Sequence, residues 1–267
     1  MKVFVIDIAR CNGCYNCQIV CKDEHVGNEW LPYAKPQPDI GHFWMKLNET
    51  VHGQVPKVNL EYRPLPCMHC DDPACIQQGD DTVYKRQDGL VIIDPEKAAG
   101  KKELVSACPY DKIFWNEELG IVQKCTGCAH LVDAGEIPRC VDACSTGALR
   151  FGEEEDFGDE IAAAEVLMPE KGLKPRVYYL NLPKLFIAGD VWDPAANEII
   201  EGATIVLTAA DGTQYTTESD DLGDFWFRKL NPGRYDIAVE AQEYKKSEKL
   251  GIELTESLNI GDFPLIK

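Results

Sequence analysis

Apolar and polar residues alternate with a period of two through much of residues 177–267. The runs Leu185–Val191, Thr204–Leu207, Tyr215–Thr217, Phe225–Phe227, Tyr235–Val239, Ile252–Leu254 and Ile260–Leu265 each read as a short strand with one buried face. Turn chemistry separates them: Asp193-Pro194, Asp211-Gly212, Leu222-Gly223 and Asn231-Pro232-Gly233. Strands of this length and spacing predict a two-sheet sandwich. The opening, MKVFVIDIAR, reads as an edge strand running into a cysteine motif, because Lys2 and Asp7 flank its apolar stretch and no leader-type h-region follows. Asp159 is placed to cap a short helix whose apolar content is Ile161, Ala162, Ala164, Val166 and Leu167, with Pro169 as its stop. Nowhere do the roughly 18–20 uninterrupted apolar residues of a membrane span occur.

Charge divides the chain. Of 267 residues 45% are apolar, which is material for two ordinary domains. Residues 1–150 carry 16 basic and 21 acidic side chains, residues 151–176 carry 3 and 8, and residues 177–267 carry 8 and 16. The acidic run Glu153–Asp156 therefore reads as a hydrated connector. The expected division is 1–152, a linker with a short helix at 153–176, and a sandwich at 177–267. A net charge of −18 repels a phosphate backbone, so nucleic acid is not an expected partner.

Cysteine placement changes the picture most. All 12 lie between Cys11 and Cys144. Disulfide-dense chains are short secreted domains without a core, which this is not, so metal or cluster ligation is the better reading. Cys11-x2-Cys14-x2-Cys17-x3-Cys21 suits a cubic cluster: three thiolates from a tight loop serve one cube, and the fourth, a turn further on, points to another. Zinc sites more often use two separated Cys-x2-Cys pairs. Cys67-x2-Cys70-x4-Cys75 comes next, then Cys108-Pro109, then Cys125-x2-Cys128-x11-Cys140-x3-Cys144. Three sets of four leave none over, and three [4Fe–4S] clusters are the simplest accounting.

These stretches, with Lys85-Arg86-Gln87-Asp88-Gly89-Leu90-Val91, Ala107-Cys108-Pro109-Tyr110 and Lys124-Cys125-Thr126-Gly127-Cys128, resemble the polyferredoxin-type electron-transfer subunits of molybdopterin oxidoreductases, the group of dimethyl sulfoxide reductase, formate dehydrogenase and nitrate reductase. The resemblance implies a duplicated ferredoxin-like domain in which halves trade their last cysteines. Cys11, Cys14 and Cys17 would share a cluster with Cys144; Cys125, Cys128 and Cys140 with Cys21; Cys67, Cys70 and Cys75 with Cys108. It also implies a large catalytic partner holding a molybdenum bis-pterin cofactor. Four-cluster relatives need four more cysteines, where this chain has Gly79, Ala98, Lys101 and Leu104. All ligands of one cluster are thus replaced and none of any other. Since that cluster faces the membrane subunit in membrane-linked relatives, a cytoplasmic complex without one is expected. Residues 185–240, with Ser219-Asp220-Asp221-Leu222-Gly223-Asp224-Phe225 and Leu230-Asn231-Pro232-Gly233-Arg234-Tyr235, resemble the carboxypeptidase-regulatory or transthyretin-like sandwiches. The expected fold class is α+β, a ferredoxin-like part followed by an all-β sandwich.

Other residues carry less. His69, inside the second cysteine loop, is expected to pack or hydrogen-bond near a sulfur. His25, His42, His52 and His130 are scattered, and no Ser-His-Asp order, phosphate loop or G-x-G-x-x-G accompanies them, so no catalytic residues are expected here. Asp220, Asp221 and Asp224 form either a capped turn or a calcium site. Trp30–Pro66, rich in Pro and aromatics, is either a cover over a cluster or a docking surface. Lys22 and Lys124, beside ligand cysteines, are either solvated or set against cluster charge. A free-standing polyferredoxin remains the rival outside the enzyme class.

Overall fold

The computed structural model describes all 267 residues. The chain forms two compact units, Met1–Glu49 with Tyr62–Leu182, and Thr50–Glu61 with Pro183–Lys267. No helix is long and apolar enough to cross a membrane.

In the first unit, β1 (Lys2–Asp7) leads to α1 (Asn16–His25); the hairpin strands β2 (Lys46–Gln54) and β3 (Lys57–Leu65) follow, and their turn end, Thr50–Glu61, belongs to the second unit. Next come α2 (Ala74–Gln78), β4 (Val83–Lys85), β5 (Val91–Ile93), β6 (Phe114–Asn116) and β7 (Ile121–Gln123). Then follow α3 (Ala129–Asp133), α4 (Arg139–Asp142), β8 (Leu149–Glu153), α5 (Gly158–Ala163) and β9 (Val177–Leu180). β1 lies in the middle of a three-stranded sheet, antiparallel to β8 and parallel to β9. Its four central residues, Val3–Ile6, are all buried, because a middle strand covered on both faces needs no polar side. The edge position expected from Lys2 and Asp7 is thus corrected: those residues mark the strand's ends. Two short hairpins, β4–β5 and β6–β7, carry further apolar packing.

Three more expectations change. The helix near Asp159 begins one residue earlier, at Gly158, and stops at Ala163; Asp159 sits in its first turn. The capping is done upstream, where Glu153 and Asp156 form a reciprocal box on a single 3-10 turn. Residues 177–180, expected to open the sandwich, are a strand of the first unit instead, with Val177 and Tyr179 fully buried. The β2–β3 hairpin inside Trp30–Pro66 was not expected at all.

The second unit contains all seven expected strands, β10 (Leu185–Asp193), β12 (Thr204–Ala209), β13 (Gln214–Glu218), β14 (Asp224–Leu230), β15 (Gly233–Glu240), β16 (Ser247–Leu254) and β17 (Leu258–Pro264), plus the two-residue β11 (Glu198–Ile199). They make two four-stranded sheets: β11-β10-β14 with β17 on β10, and β13-β12-β15-β16. Inward residues of both sheets, among them Ile187, Val191, Ile205, Leu207, Phe225, Ile237 and Leu254, form one core. Asp220 is a turn cap: its Oδ1 accepts from the amides of Leu222 at 3.0 Å and Asp224 at 2.9 Å.

Asp190 and Asp224 face each other across β10 and β14. Lys57, almost fully buried, holds both: Nζ is 2.8 Å from Asp190 Oδ1 and also contacts Asp224. Burial and the neighbouring Asp224 raise the pKa of Asp190. Burial opposes ionisation of Asp224 too, but hydrogen bonds from Asp190 and Lys57 outweigh it and hold that carboxyl low. Lys57→Met is expected to cost about 1–3 kcal/mol at neutral pH, leaving two facing carboxylates without a cation. In the variant the pair's folded-state pKa is raised, so stability should be kept at low pH and lost as pH rises through the carboxyl range. Thermal unfolding of both proteins at about pH 5 and pH 7 checks this; an equal deficit at both would contradict it.

Candidate metal centres

No cysteine is in a disulfide. Cys11, Cys14 and Cys17, from the loop into α1, line one cavity together with Cys144, which follows α4. Helix α1 and helix α4 pack together, which brings Cys144 to that loop. Cys67, Cys70, Cys75 and Cys108 line a second cavity, walled by Met68, Val91, Tyr110, Ile113, Lys124 and Leu173. Cys21, Cys125, Cys128 and Cys140 are all buried and lie within electrostatic reach of one another. Two cavities thus each bring four cysteines together, and the remaining four are buried near one another. Nowhere do three His, Cys, Asp or Glu side chains close on a single ion. In two of the groups the thiols ring a cavity instead of meeting at a point, which fits a polynuclear cube better than zinc.

Burial dominates the thiol chemistry. It pushes Cys17 up to about 12, with neighbouring thiolates adding to the effect. Cys70 and Cys128 reach about 12 and Cys75 about 11, again with burial as the leading cause. Cys21 and Cys140, fully enclosed, are also raised well above the ordinary thiol value. Ligand thiolates must be deprotonated, so these groups ionise only with a positive centre among them. Cys144 differs. Burial raises it, but the Leu149 amide, the Thr146 hydroxyl and nearby backbone N–H groups bring it below the ordinary thiol value.

Amides and histidines surround the sulfurs. The Gly127 amide donates to Cys125 Sγ at 3.3 Å from a left-handed conformation at φ +65°. A Cβ there would lie 2.7 Å from Leu90 Cδ2, so only glycine allows this loop to close. His69 is buried, as expected near a sulfur. Its Nδ1 accepts from the Val91 amide at 3.0 Å, so Nε2 carries the proton and points to Cys125 Sγ at 3.9 Å. His25 was missed by sequence reasoning: its Nε2 lies 3.9 Å from Cys128 Sγ, and burial drives its pKa down to about 3. Its only sequence signal is its place one turn after Cys21, on the same helix face. The lysines are also not free in solvent. Lys22 Nζ donates to Gln37 Oε1 at 3.1 Å, Gly41 O at 2.8 Å and the Pro38 carbonyl, tying α1 to the following loop. Lys124 is buried against Cys67 Sγ at 3.5 Å.

The four positions that lack cysteine are filled. Ala98 and Leu104 are fully buried in an apolar cluster with Val83, Val91, Ile93, Ile113, Ile121 and Val122. At Gly79 even a Cβ would stand 2.4 Å from Val83 Cγ2 and 2.7 Å from the Cys75 carbonyl oxygen. Lys101 reaches outward to Asp80 at 3.5 Å.

Cysteine groups of this kind, beside a cysteine-free sandwich, define an iron–sulfur protein with an accessory β domain. A 4Fe-4S dicluster domain matches residues 58–154, and a carboxypeptidase regulatory-like domain matches residues 187–263. The pyrogallol hydroxytransferase small subunit of Pelobacter acidigallici is 39% identical over 96% of this chain and 96% of its own. A tetrathionate reductase subunit of Salmonella typhimurium is 34% identical over 68% of this chain and 73% of its own. A component of the anaerobic dimethyl sulfoxide reductase of Escherichia coli is 34% identical over 60% and 80%. This chain thus belongs to the family of iron–sulfur electron-transfer subunits of molybdenum oxidoreductases, which includes the pyrogallol hydroxytransferase small subunit. It is the electron-transfer part of an enzyme complex and not the catalytic chain.

A charged clamp holds the two ligand-bearing helices. Glu24 on α1 accepts from Arg139 Nε at 2.8 Å and contacts His130 Nε2 at 3.0 Å. Burial opposes ionisation of Glu24, but these two partners outweigh it and the carboxyl lies below its ordinary value of 4.5. Its contribution is therefore present above that value and lost as pH falls through the lower folded-state one. Comparing wild type with Glu24→Gln by hydrogen exchange of α1 amides should show a difference at neutral pH that closes in acid. A difference independent of pH would contradict the assignment.

Proposed function

We propose that this chain is the iron–sulfur subunit of an enzyme of the pyrogallol–phloroglucinol transhydroxylase type, moving a hydroxyl group between polyhydroxybenzenes. The observation that carries the reading is the grouping of all 12 cysteines into three sets of four, with the fourth family position packed by Ala98 and Leu104. The ligand sets are Cys11, Cys14, Cys17 and Cys144; Cys21, Cys125, Cys128 and Cys140; Cys67, Cys70, Cys75 and Cys108. Bound [4Fe–4S] clusters would take up and return single electrons. The chain's own residues ligate, exclude water and direct N–H groups at sulfur, as Gly127 and His69 do for Cys125.

Similarity over nearly the whole of both chains supports the transhydroxylase class over a reductase. The aromatic chemistry belongs to the molybdenum bis-pterin site of a large partner subunit. We read the complex as a cytoplasmic heterodimer of an anaerobe without a membrane subunit. The first unit is read as two ferredoxin-like halves that exchange Cys21 and Cys144; Cys144 lining the Cys11 cavity and Cys21 lying near Cys125 and Cys128 support the exchange. A second reading, a subunit of another molybdenum oxidoreductase, is favoured by the 34% identity to the Salmonella tetrathionate reductase component.

Handled without oxygen, the protein should contain about 12 iron and about 12 acid-labile sulfide per chain, as three four-iron cubes require. Tightly bound zinc with little iron would refute it. The purified complex should convert pyrogallol to phloroglucinol; reduction of tetrathionate or a sulfoxide instead would select the second reading.

A further inference from the structure

We propose that Lys124 is the electrostatic anchor of this relay: its fixed charge makes the Cys67 site the strongest electron acceptor in the chain and the place where an electron comes to rest. The proposal rests on the cluster assignment above and deepens it.

Lys124 is 3% exposed. Its Nζ donates to three acceptors, the Val91 carbonyl, the Cys125 carbonyl at 3.0 Å and Cys67 Sγ at 3.5 Å. Three acceptors take three N–H bonds, so the group is an ammonium. No carboxylate stands within ion-pairing distance of it. A buried ammonium without an anion is strongly disfavoured, and the anions this one faces are the sulfurs of Cys67, Cys75 and Cys125. Those sulfurs belong to two different sites, so the cation sits where the middle set meets the Cys67 set. A second buried lysine, Lys112, lies within electrostatic reach of Cys67, Cys108, Cys125 and Asp111, and burial holds its pKa below the ordinary lysine value.

The opposite end of the relay is built differently. The cavity of Cys11, Cys14, Cys17 and Cys144 has Asn12, Tyr15, Asn16 and Thr146 in its wall and no basic side chain, and Cys14 is exposed. A four-thiolate cube is anionic and gains one more negative charge on reduction. At the Cys67 site that charge would meet the Lys124 ammonium in a dry environment, where charges are weakly screened. When the reduced middle site passes its electron on, it is reoxidised and the Cys67 site is reduced, with no proton transferred. Beyond the Cys67 site lies the apolar packing of Ala98 and Leu104, so the electron goes no further within this chain. The relay is thereby a store filled from the Cys14 end and emptied back through it.

The test is redox titration of the intact complex followed by electron paramagnetic resonance, with dithionite as reductant. Cys108→Ser identifies the signal of the Cys67 site. In wild type that site should be reduced first. Lys124→Met should lower its one-electron reduction equilibrium tenfold or more, about 59 mV per tenfold, and move the Cys11 site far less. Lys102→Met, the same charge change at an exposed position, should move neither. If Lys124→Met fails to hold its clusters, the wild-type order alone decides, because a Cys67 site reduced last overturns the proposal. Full iron with unchanged potentials in Lys124→Met overturns it too while leaving the cluster assignment intact. Wild-type protein with fewer than three clusters removes the assignment and the proposal together.

Discussion

Thiolates cannot be buried without a compensating positive charge, and most features of the first unit follow from that constraint. Burial lifts the thiols of Cys17, Cys70 and Cys128 to about 12 and raises those of Cys21 and Cys140 well above the ordinary thiol value. Such groups are poor ligands until a cationic centre sits among them, so metal and fold are coupled. The protein adds to this with oriented dipoles and fixed charge: amides on Cys125 and Cys144, protonated Nε2 of His69, and the ammonium of Lys124. Regular structure is correspondingly sparse around the sulfurs. Helices of four or five residues, α2, α3 and α4, hold ligands in place without making long hydrogen-bonded ladders.

The two units solve the burial problem in different ways. The sandwich closes an apolar core from the inner faces of its two sheets and needs no cysteine. In the first unit the apolar cluster around Leu104 occupies the positions at which four-cluster relatives carry ligands. Removing four cysteines together, with Val83 packed against Gly79, replaces one metal-centred subcore by an ordinary hydrophobic one. A partial replacement would have stranded buried thiols with neither a cluster nor a partner.

Legibility in the sequence tracked how local each signal is. All seven sandwich strands were readable because alternation and turn residues such as Asn231-Pro232-Gly233 are short-range. The cysteine motifs were readable because ligand spacing is a loop property, while their assortment with Cys21, Cys108 and Cys144 came only from the family resemblance. The β2–β3 hairpin was not, since Lys46–Gln54 is mostly exposed and presents no apolar stripe. The middle position of β1 depends on β8 and β9, strands that pair with it from more than a hundred residues away. The sequence left Lys124 open between solvent and cluster charge because charge alone says nothing of burial; its neighbours Ile121–Gln123 and Cys125–Ala129 are buried throughout, and the lysine goes with them.

That long-range pairing of β1 has a consequence for how the protein is made. Lys2–Asp7 leaves the ribosome well before its partners, Leu149–Glu153 and Val177–Leu180. At about 5–20 residues per second, the strand waits many seconds with an apolar face and no neighbour. The loop of Cys11 waits equally for Cys144. During that interval the nascent chain presents a sticky, ligand-rich segment to chaperones, stray metal and oxygen. Synthesis order thus makes the N-terminal segment the most vulnerable stretch of the chain, and the last of the first unit to be locked.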